Sequence, residues 1–251
     1  MNRQLLKSKI KALAAHLGIS TGIFIVLFVL ILFWWYPGLW FSIEGGWQGT
    51  RIMLVVDMVL GPLLTFIIFN PAKSRQAILF DFSCIALFQA LALMWGIYAV
   101  HSQRPLAIVY WDGSFYSVDS KDLAAFDTTA ADLAQFEQKL PLVIAAREPE
   151  NQDEAAAGAL SAFFGEGPKM YADIERFQPL SDHLERLRAN SLDIQARAEK
   201  KPELAARLDA FMQRHPDKTL DDFAFIKLQG RFSNYILIVG PAGKILGQLP
   251  A

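Results

Sequence analysis

One acidic residue, Asp57, lies inside a long apolar run, residues 52–69. A carboxylate at the centre of a bilayer costs roughly 2.5–3.5 kcal/mol on insertion scales, and such residues usually face a protein partner or water. Gly61 follows one helical turn later on the same face, and Pro62 removes a backbone hydrogen-bond donor, which predicts a bend. The three residues therefore predict a polar, small and kinked patch that faces another element.

This patch has three possible roles. It can form a contact within the chain's own helices, a contact with another membrane protein, or part of a proton pathway. The first role is the simplest. The proton pathway is the least favoured, because we expect no second buried ionisable group that would relay a proton.

Other reactive residues follow no recognised pattern. The single Cys84 excludes an intramolecular disulfide, and the four histidines share no metal-ligand spacing. A nucleophile elbow, a phosphate loop and a CxxC motif do not occur in the sequence. We therefore expect no catalytic residues, no metal, no cofactor and no small-molecule substrate, and a protein that is not an enzyme.

Two alternatives involve chemistry or transport at the periplasmic face. One is a membrane-anchored enzyme in which Glu44, Asp57 and His101 approach one another near the membrane interface. The other is a transporter subunit, although a transporter usually needs more spans and more polar groups. A sensor would need a cytoplasmic output domain. The segments that we expect in the cytoplasm, residues 1–16 and 70–77, are too short to form one.

The composition of the 251 residues separates an apolar part from a polar part. Residues 1–100 carry seven basic and three acidic side chains, and residues 101–251 carry 17 and 22. Neither part has a basic patch with interleaved aromatics, so nucleic acid is not an expected partner.

Three apolar runs, residues 17–36, 52–69 and 78–100, are long enough to cross a bilayer as helices. The first run is longer than the apolar core of a signal peptide and is not followed by a small-residue cleavage site, so we expect it to remain as an anchor. The prediction is a cytoplasmic N-terminus over residues 1–16, a three-helix transmembrane region over 17–100, and a periplasmic domain over 101–251.

Charge sets this orientation. Basic residues cluster in the N-terminal segment and in the loop 70–77, and both should be cytoplasmic under the positive-inside rule. Asp81 is expected in the first turn of the third helix, near the lipid headgroups. Five tryptophans fall near the predicted outer interface, at positions 34, 35, 40, 47 and 95.

The polar part predicts a small α+β domain with antiparallel hairpins and flanking helices. Strands are expected near 106–110, 115–118, 142–146, 223–228, 235–239 and 244–249, with an Asp112-Gly113 hairpin turn. Helices are expected over 124–140, from Ser181 to 198, and from Pro202 to 214. The polar stretch 148–159 precedes the second of these helices, and the segment 165–168 should break the helical structure that could begin in that stretch.

Several motifs resemble one known family. They are Trp35-Tyr36-Pro37-Gly38, Glu44-Gly45-Gly46-Trp47-Gln48-Gly49, the run 56–65, Phe80-Asp81-Phe82, Gln103-Arg104-Pro105, and Leu228-Gln229-Gly230-Arg231 before the strand 235–239. In order and spacing they resemble type IV pilin accessory proteins of the TfpX/TfpZ type. The likeness is dense over residues 20–120 and thin over 125–220.

The resemblance implies a bacterial inner-membrane protein that supports pilus assembly, and it does not imply a reaction. The implied partners are the major type IV pilin and the lipid bilayer. A chaperone of this kind would bind the pilin before or during polymerisation. Our hypothesis places the membrane-side contact at Glu44, Gly45, Gly46 and Trp47 together with Asp57, Gly61 and Pro62.

Overall fold

The computed structural model describes residues 3–156, 158 and 169–251. The chain divides into two compact units, Met1–Ser102 and Gln103–Ala251. The fold class expected from the sequence, three apolar helices followed by an α+β domain with hairpins, is confirmed. The predicted interruption at 165–168 lies outside the described residues.

The first unit is helical. Within its described part, the helices long and apolar enough to cross a membrane are α1 (Arg3–Trp35), α3 (Gly46–Ile68) and α4 (Arg75–Ser102). A short helix, α2 (Trp40–Ile43), lies in the turn between α1 and α3. The long helices extend past the apolar runs because the flanking Lys, Arg and Gln residues are themselves good helix formers.

Two turns of these helices are widened to the π form, at Ile31–Trp35 and at Val55–Leu60. In the second, the Gly61 N–H donates to the Val56 carbonyl, five residues back. Pro62 follows directly and has no N–H to donate to the Met58 carbonyl. The turn before Pro62 is therefore widened, and Asp57 lies within it, while the bend predicted from Pro62 stays a prediction.

The described residues of the second unit form a seven-stranded mixed sheet. Its strands are β1 (Ala107–Trp111), β2 (Ser114–Val118), β3 (Leu142–Ala146), β4 (Phe177–Gln178), β5 (Ala224–Gln229), β6 (Asn234–Val239) and β7 (Ile245–Pro250). Their order across the sheet is β4-β3-β1-β2-β5-β6-β7. The predicted strands are confirmed to within one or two residues.

The sheet contains both antiparallel and parallel strand pairs. The β1–β2 turn has positive φ at Asp112 (45°) and Gly113 (72°), which is the geometry of a two-residue hairpin. The β5–β6 and β6–β7 pairs are also antiparallel. In contrast, β1 pairs with β3 and β2 pairs with β5 in parallel. The sequence signals for hairpins did not predict these two parallel pairings.

The described helices of the second unit include α5 (Ser120–Ala124), α6 (Leu184–Ala189), α7 (Ile194–Ala198) and α8 (Pro202–Gln213). The last confirms the helix predicted from Pro202. The other two helix predictions are wrong in extent. Short polar side chains compete with the helix backbone, and Thr128 Oγ1 bonds the Leu123 carbonyl just after α5. Ser191 Oγ likewise accepts from the Phe225 N–H, which separates α6 from α7.

Candidate functional site in the membrane helices

A cavity of about 450 Å³ lies between α1 and α4 in the first unit, and Asp57 of α3 is part of its lining. Its apolar lining is exposed on both sides, including Ile19 on α1 and Ala86 and Ala90 on α4. The cavity therefore reaches the helix surface that would face lipid in a membrane. The complete lining is Ala12, Ala15, His16, Ile19, Ser20, Ile23, Asp57, Phe82, Ile85, Ala86, Gln89, Ala90 and Leu93.

Asp57 is the α3 residue that lines this cavity. The residue is only 5% exposed, and its Oδ2 atom has no hydrogen-bond partner among the described residues. A buried polar atom without a partner costs free energy that a donor would recover. Asp57 is therefore a buried acceptor in the lining of a cavity that also contains the polar residues His16, Ser20 and Gln89.

Gly61 and Pro62 are buried within the unit. A Cβ added to Gly61 would overlap the side-chain amide of Gln89 on α4, so only glycine lets this amide pack against α3. The structure thus places these two residues in contacts inside the helix bundle. Their predicted contact with a partner stays a prediction.

His16 is a polar residue of the site that the sequence analysis did not assign to it. It lines the same cavity as Asp57, and its Nδ1 lies 2.5 Å from Oγ1 of Thr65 on α3. The expectation was that no second buried ionisable group would lie within reach of Asp57, and the structure places the partly buried His16 in the same lining. His16 was assigned to the N-terminal tail, but α1 begins at Arg3 and carries it into the helix pair. The sequence does contain a signal for this position, because His16 is a polar residue one helical turn before the polar Ser20.

Glu44 and Gly45 join α2 to α3, and Gly46 and Trp47 begin α3. Glu44, Gly45 and Gly46 are buried, and Gly45 has φ +94°, a conformation that favours glycine. Trp47 is 46% exposed, and the Arg51 guanidinium lies 4.9 Å from the centre of its ring. Of the four predicted contact residues, Trp47 is the one with an accessible side chain.

The three residues of the enzyme alternative occupy different places. His101 packs edge-on against Trp35, with ring centres 4.9 Å apart, near the end of α4. The described lining of the Asp57 cavity contains neither Glu44 nor His101. Among residues 3–156, 158 and 169–251, no group of three His, Cys, Asp or Glu side chains is arranged to hold a metal ion.

The two ends of the helix bundle are chemically different. At one end, the Tyr36 hydroxyl donates to the Val100 carbonyl at 2.9 Å, near exposed Trp34 and Trp95. At the other end, Lys9 Nζ donates to the Ile67 carbonyl at 3.0 Å.

Asp81 has a different place from the one predicted. It lies in the second turn of α4, because this helix begins at Arg75. Lys73 forms an ion pair with it at 2.6 Å. The carboxylate is therefore matched by a lysine of the preceding loop.

In the second unit, the motif that ends in Arg231 contributes an ion pair. Arg231 bonds Asp119, and Asp119 caps α5 by accepting from the N–H groups of Lys121 and Asp122. Next to this pair, the Tyr116 and Tyr171 rings stack 4.4 Å apart. Burial, assisted by nearby carboxylates, raises the pKa of the Tyr171 hydroxyl well above its ordinary value, so this ring stays neutral.

A charged cluster lies at the β3–β4 side of the sheet. The Glu154 carboxylate accepts from the Glu150 N–H at 2.6 Å and bonds Arg176 and Arg147. These contacts lower the pKa of Glu154 to about 2, the backbone hydrogen bond having the largest effect.

Three proteins of Dichelobacter nodosus are similar to this chain, and all are named fimbrial assembly proteins. The serogroup I protein is 32% identical over 169 residues, and the serogroup E1 protein is 30% identical over 167. Each alignment covers 66% of this chain and 65% of the relative. The protein of serogroups C1 and C2 is 34% identical over 110 residues, 44% of this chain and 84% of that protein. The chain belongs to the family of fimbrial assembly proteins.

This membership confirms the family resemblance stated from the sequence motifs. The chain spans just under two thirds of the length of the serogroup I and E1 fimbrial assembly proteins. No protein-family model and no solved structure matches it.

Proposed function

We propose that the chain supports assembly of type IV pili by binding the major pilin in the inner membrane before or during polymerisation. One observation carries this proposal, the sequence similarity to fimbrial assembly proteins at 30–34% identity. The three apolar helices support it, because they suit a protein that works in the membrane where a subunit with an apolar helix would wait for assembly.

The proposed orientation has a cytoplasmic N-terminus and a periplasmic second unit. Basic residues at the Lys9–Ile67 end of the bundle favour the cytoplasmic side for that end. Exposed Trp34 and Trp95 at the opposite end suit the interface on the periplasmic side. An odd number of spans then carries residues 103–251 across the membrane.

The proposal is of a binding protein without a catalytic reaction. The competing enzyme hypothesis is tested by replacing Glu44, Asp57 and His101 together with alanine. We expect the mass of the pilin to be unchanged. A change in pilin mass in the triple variant would favour the enzyme and overturn our proposal.

The test of function uses a deletion strain. Total cellular pilin and the pilin sheared from the cell surface are compared with and without the gene. Loss of total pilin would support protection of the subunit before assembly. Loss of surface pili alone would support action at delivery or polymerisation. No change in either quantity would overturn the proposal.

A further inference from the structure

Another cavity, of about 470 Å³, lies entirely within the second unit. Its lining comes from α7, α8 and β6 and from residues that adjoin α7 and the end of β7. Cavities of this volume accept a small molecule or a few residues of a peptide chain. The cavity is therefore large enough for a ligand, and the side chains that line it determine which chemistry would bind.

Basic side chains form much of this lining. Arg197, Lys200 and Lys201 are all exposed and contribute three positive charges. Asp193 contributes a negative charge, but its Oδ1 already accepts the Ala196 N–H at 3.0 Å as the cap of α7. The described lining therefore has an excess of two positive charges.

The turn between α7 and α8 keeps the three basic residues together. The Lys200 N–H donates to the Arg197 carbonyl at 3.2 Å, and the Lys201 N–H donates to the Ala198 carbonyl at 3.2 Å. Pro202 then begins α8. The hydrogen-bonded turn thus holds like charges around one cavity, and a cleft lined by charges of one sign concentrates ions of the opposite sign.

Two of these cations are available to a ligand. Lys201 Nζ donates to the Ala251 carbonyl oxygen at 2.7 Å. In contrast, the side chains of Arg197 and Lys200 form no hydrogen bond or ion pair with a described residue. Arg207 on α8, outside the lining, is already paired with Glu203 at 3.3 Å. Arg197 and Lys200 are therefore the groups that can bind an anion.

The buried part of the lining is apolar. Leu204 and Ile236 belong to the hydrophobic core of the second unit, and Leu192 packs against that core. Leu192 and Ala196 are half-buried, so part of their surface is accessible from the cavity. An occupant can therefore place a carboxylate on the cations and remove an adjacent aliphatic side chain from water on Leu192 and Ala196.

A flat anionic lipid surface is a poorer match than a single carboxylate. Residues 193–203 carry three acidic and three basic side chains, so a surface that contacts the whole stretch meets no net charge. Two of the acids, Glu199 and Glu203, are exposed and lie outside the cavity lining. A carboxylate inside the cavity meets the cations without these two glutamates, and a guanidinium group can bind it through two hydrogen bonds.

A free small acid is also a poorer match. Arg197 and Lys200 are exposed, and ion pairs with exposed side chains are weak in water. A small acid would gain those contacts alone. A peptide segment gains the same contacts and also buries a neighbouring aliphatic side chain.

We infer that this cavity is a docking site for an acidic segment of a partner protein. A glutamate or aspartate side chain of the segment binds Arg197 and Lys200, and an adjacent aliphatic side chain contacts Leu192 and Ala196. The inference goes beyond the proposed function, because it assigns a binding surface to the second unit and defines the ligand by its chemistry.

Fluorescence anisotropy with the full-length chain in a neutral detergent tests this inference. The probe is the fluorescein-labelled peptide Gly-Ser-Leu-Glu-Leu-Glu-Leu-Ser-Gly. A reference probe has glutamine in place of each glutamate and keeps the same leucines. At low ionic strength we expect the glutamate probe to bind about fivefold more tightly than the glutamine probe, and added NaCl should remove the difference. A third probe, with alanine in place of each leucine, should bind more weakly than the glutamate probe.

Charge-matched variants locate the binding site. Arg197→Gln combined with Lys200→Gln should reduce the affinity for the glutamate probe to that for the glutamine probe. Arg207→Gln combined with Lys227→Gln removes the same charge from exposed residues outside the lining and should leave the affinity unchanged.

Four results would overturn the inference. They are equal affinities for the glutamate and glutamine probes, equal losses of affinity in the two double variants, displacement of the probe by an equal concentration of succinate, and displacement by phosphatidylglycerol added to the micelles. The last two would identify the ligand as a small acid or a lipid headgroup.

Discussion

The Nδ1 of His16 on α1 lies 2.5 Å from the Oγ1 of Thr65 on α3, a contact between residues 49 positions apart. Thr65 is fully buried, and His16 is part of the lining of the cavity between α1 and α4. The pair joins α1, which lines one side of this cavity, to the helix that carries Asp57.

Thr65→Val should weaken this attachment while keeping the shape of the side chain. Hydrogen bonds between membrane helices contribute about 0.6 kcal/mol on average, so we expect a small drop in thermal stability in detergent. Thr65→Ser keeps the hydroxyl and is the matched control. A Thr65→Val protein as stable as the Thr65→Ser protein would show that the bond contributes nothing.

Asp57→Leu should reduce the amount of pilin that co-purifies with the chain, without lowering the amount of the chain in the membrane. The chain should stay at its normal level because Oδ2 of Asp57 has no hydrogen-bond partner among the described residues. Removal of this atom therefore breaks no hydrogen bond within the described part of the chain. Asp57→Asn keeps an acceptor oxygen and should retain part of the co-purified pilin. If the chain itself disappears in Asp57→Leu, Asp57 is an internal structural residue and the contact hypothesis fails.

Gly61→Ala should lower the membrane level of the chain by only a small amount, because the added methyl group displaces the flexible end of the Gln89 side chain from α3. Gln89→Ala removes the atoms in conflict and should restore the level in the double variant. The measurement is an immunoblot of membrane fractions. Failure of the double variant to recover would mean that Gly61 is required for its backbone and not for this contact.

Asp119→Ala should destabilise the second unit more than Asp119→Asn. Alanine removes the cap of α5, worth about 1 kcal/mol, as well as the ion pair with Arg231, whereas asparagine keeps the cap. Thermal unfolding of the full-length chain in detergent, followed by protease sensitivity of residues 103–251, measures both variants. Equal melting temperatures for the two would place the whole effect in the ion pair.

The Glu154 carboxylate should make stability depend on pH in the acid range. Its pKa is lowered in the folded chain from an ordinary 4.5 to about 2. This contribution is therefore complete above about pH 4.5 and is lost as the pH falls towards 2.

Protease sensitivity of the full-length chain between pH 5 and pH 3 tests this dependence. We expect Glu154→Gln to reduce the pH dependence. Glu150→Gln should leave the pH dependence unchanged, because the Glu150 side chain is 72% exposed in its pair with Arg147. Identical pH profiles for the native chain and Glu154→Gln would contradict the prediction.

Local patterns were sufficient for much of this fold. Apolar length predicts the membrane helices, and the Asp112-Gly113 turn predicts the first hairpin, because each signal lies within one segment. The parallel pairings of β1 with β3 and of β2 with β5 join distant segments and leave no local trace.

The site was predicted in part for the same reason. Asp57 is conspicuous because its charge is costly in an apolar run, so the sequence identifies it. The contacts of Asp57 and Gly61 depend on how three helices pack. Gln89 over Gly61 and His16 beside Thr65 are both results of that packing.

The parallel pairing of β2 with β5 has a consequence for synthesis of the chain. Only Phe115 with Leu228 and Tyr116 with Gln229 are in register across this junction. The ribosome completes β1 to β3 long before β5, so until residues 224–229 emerge, β2 presents an open strand edge to other nascent chains. We expect chains truncated before Ala224 to aggregate through this edge.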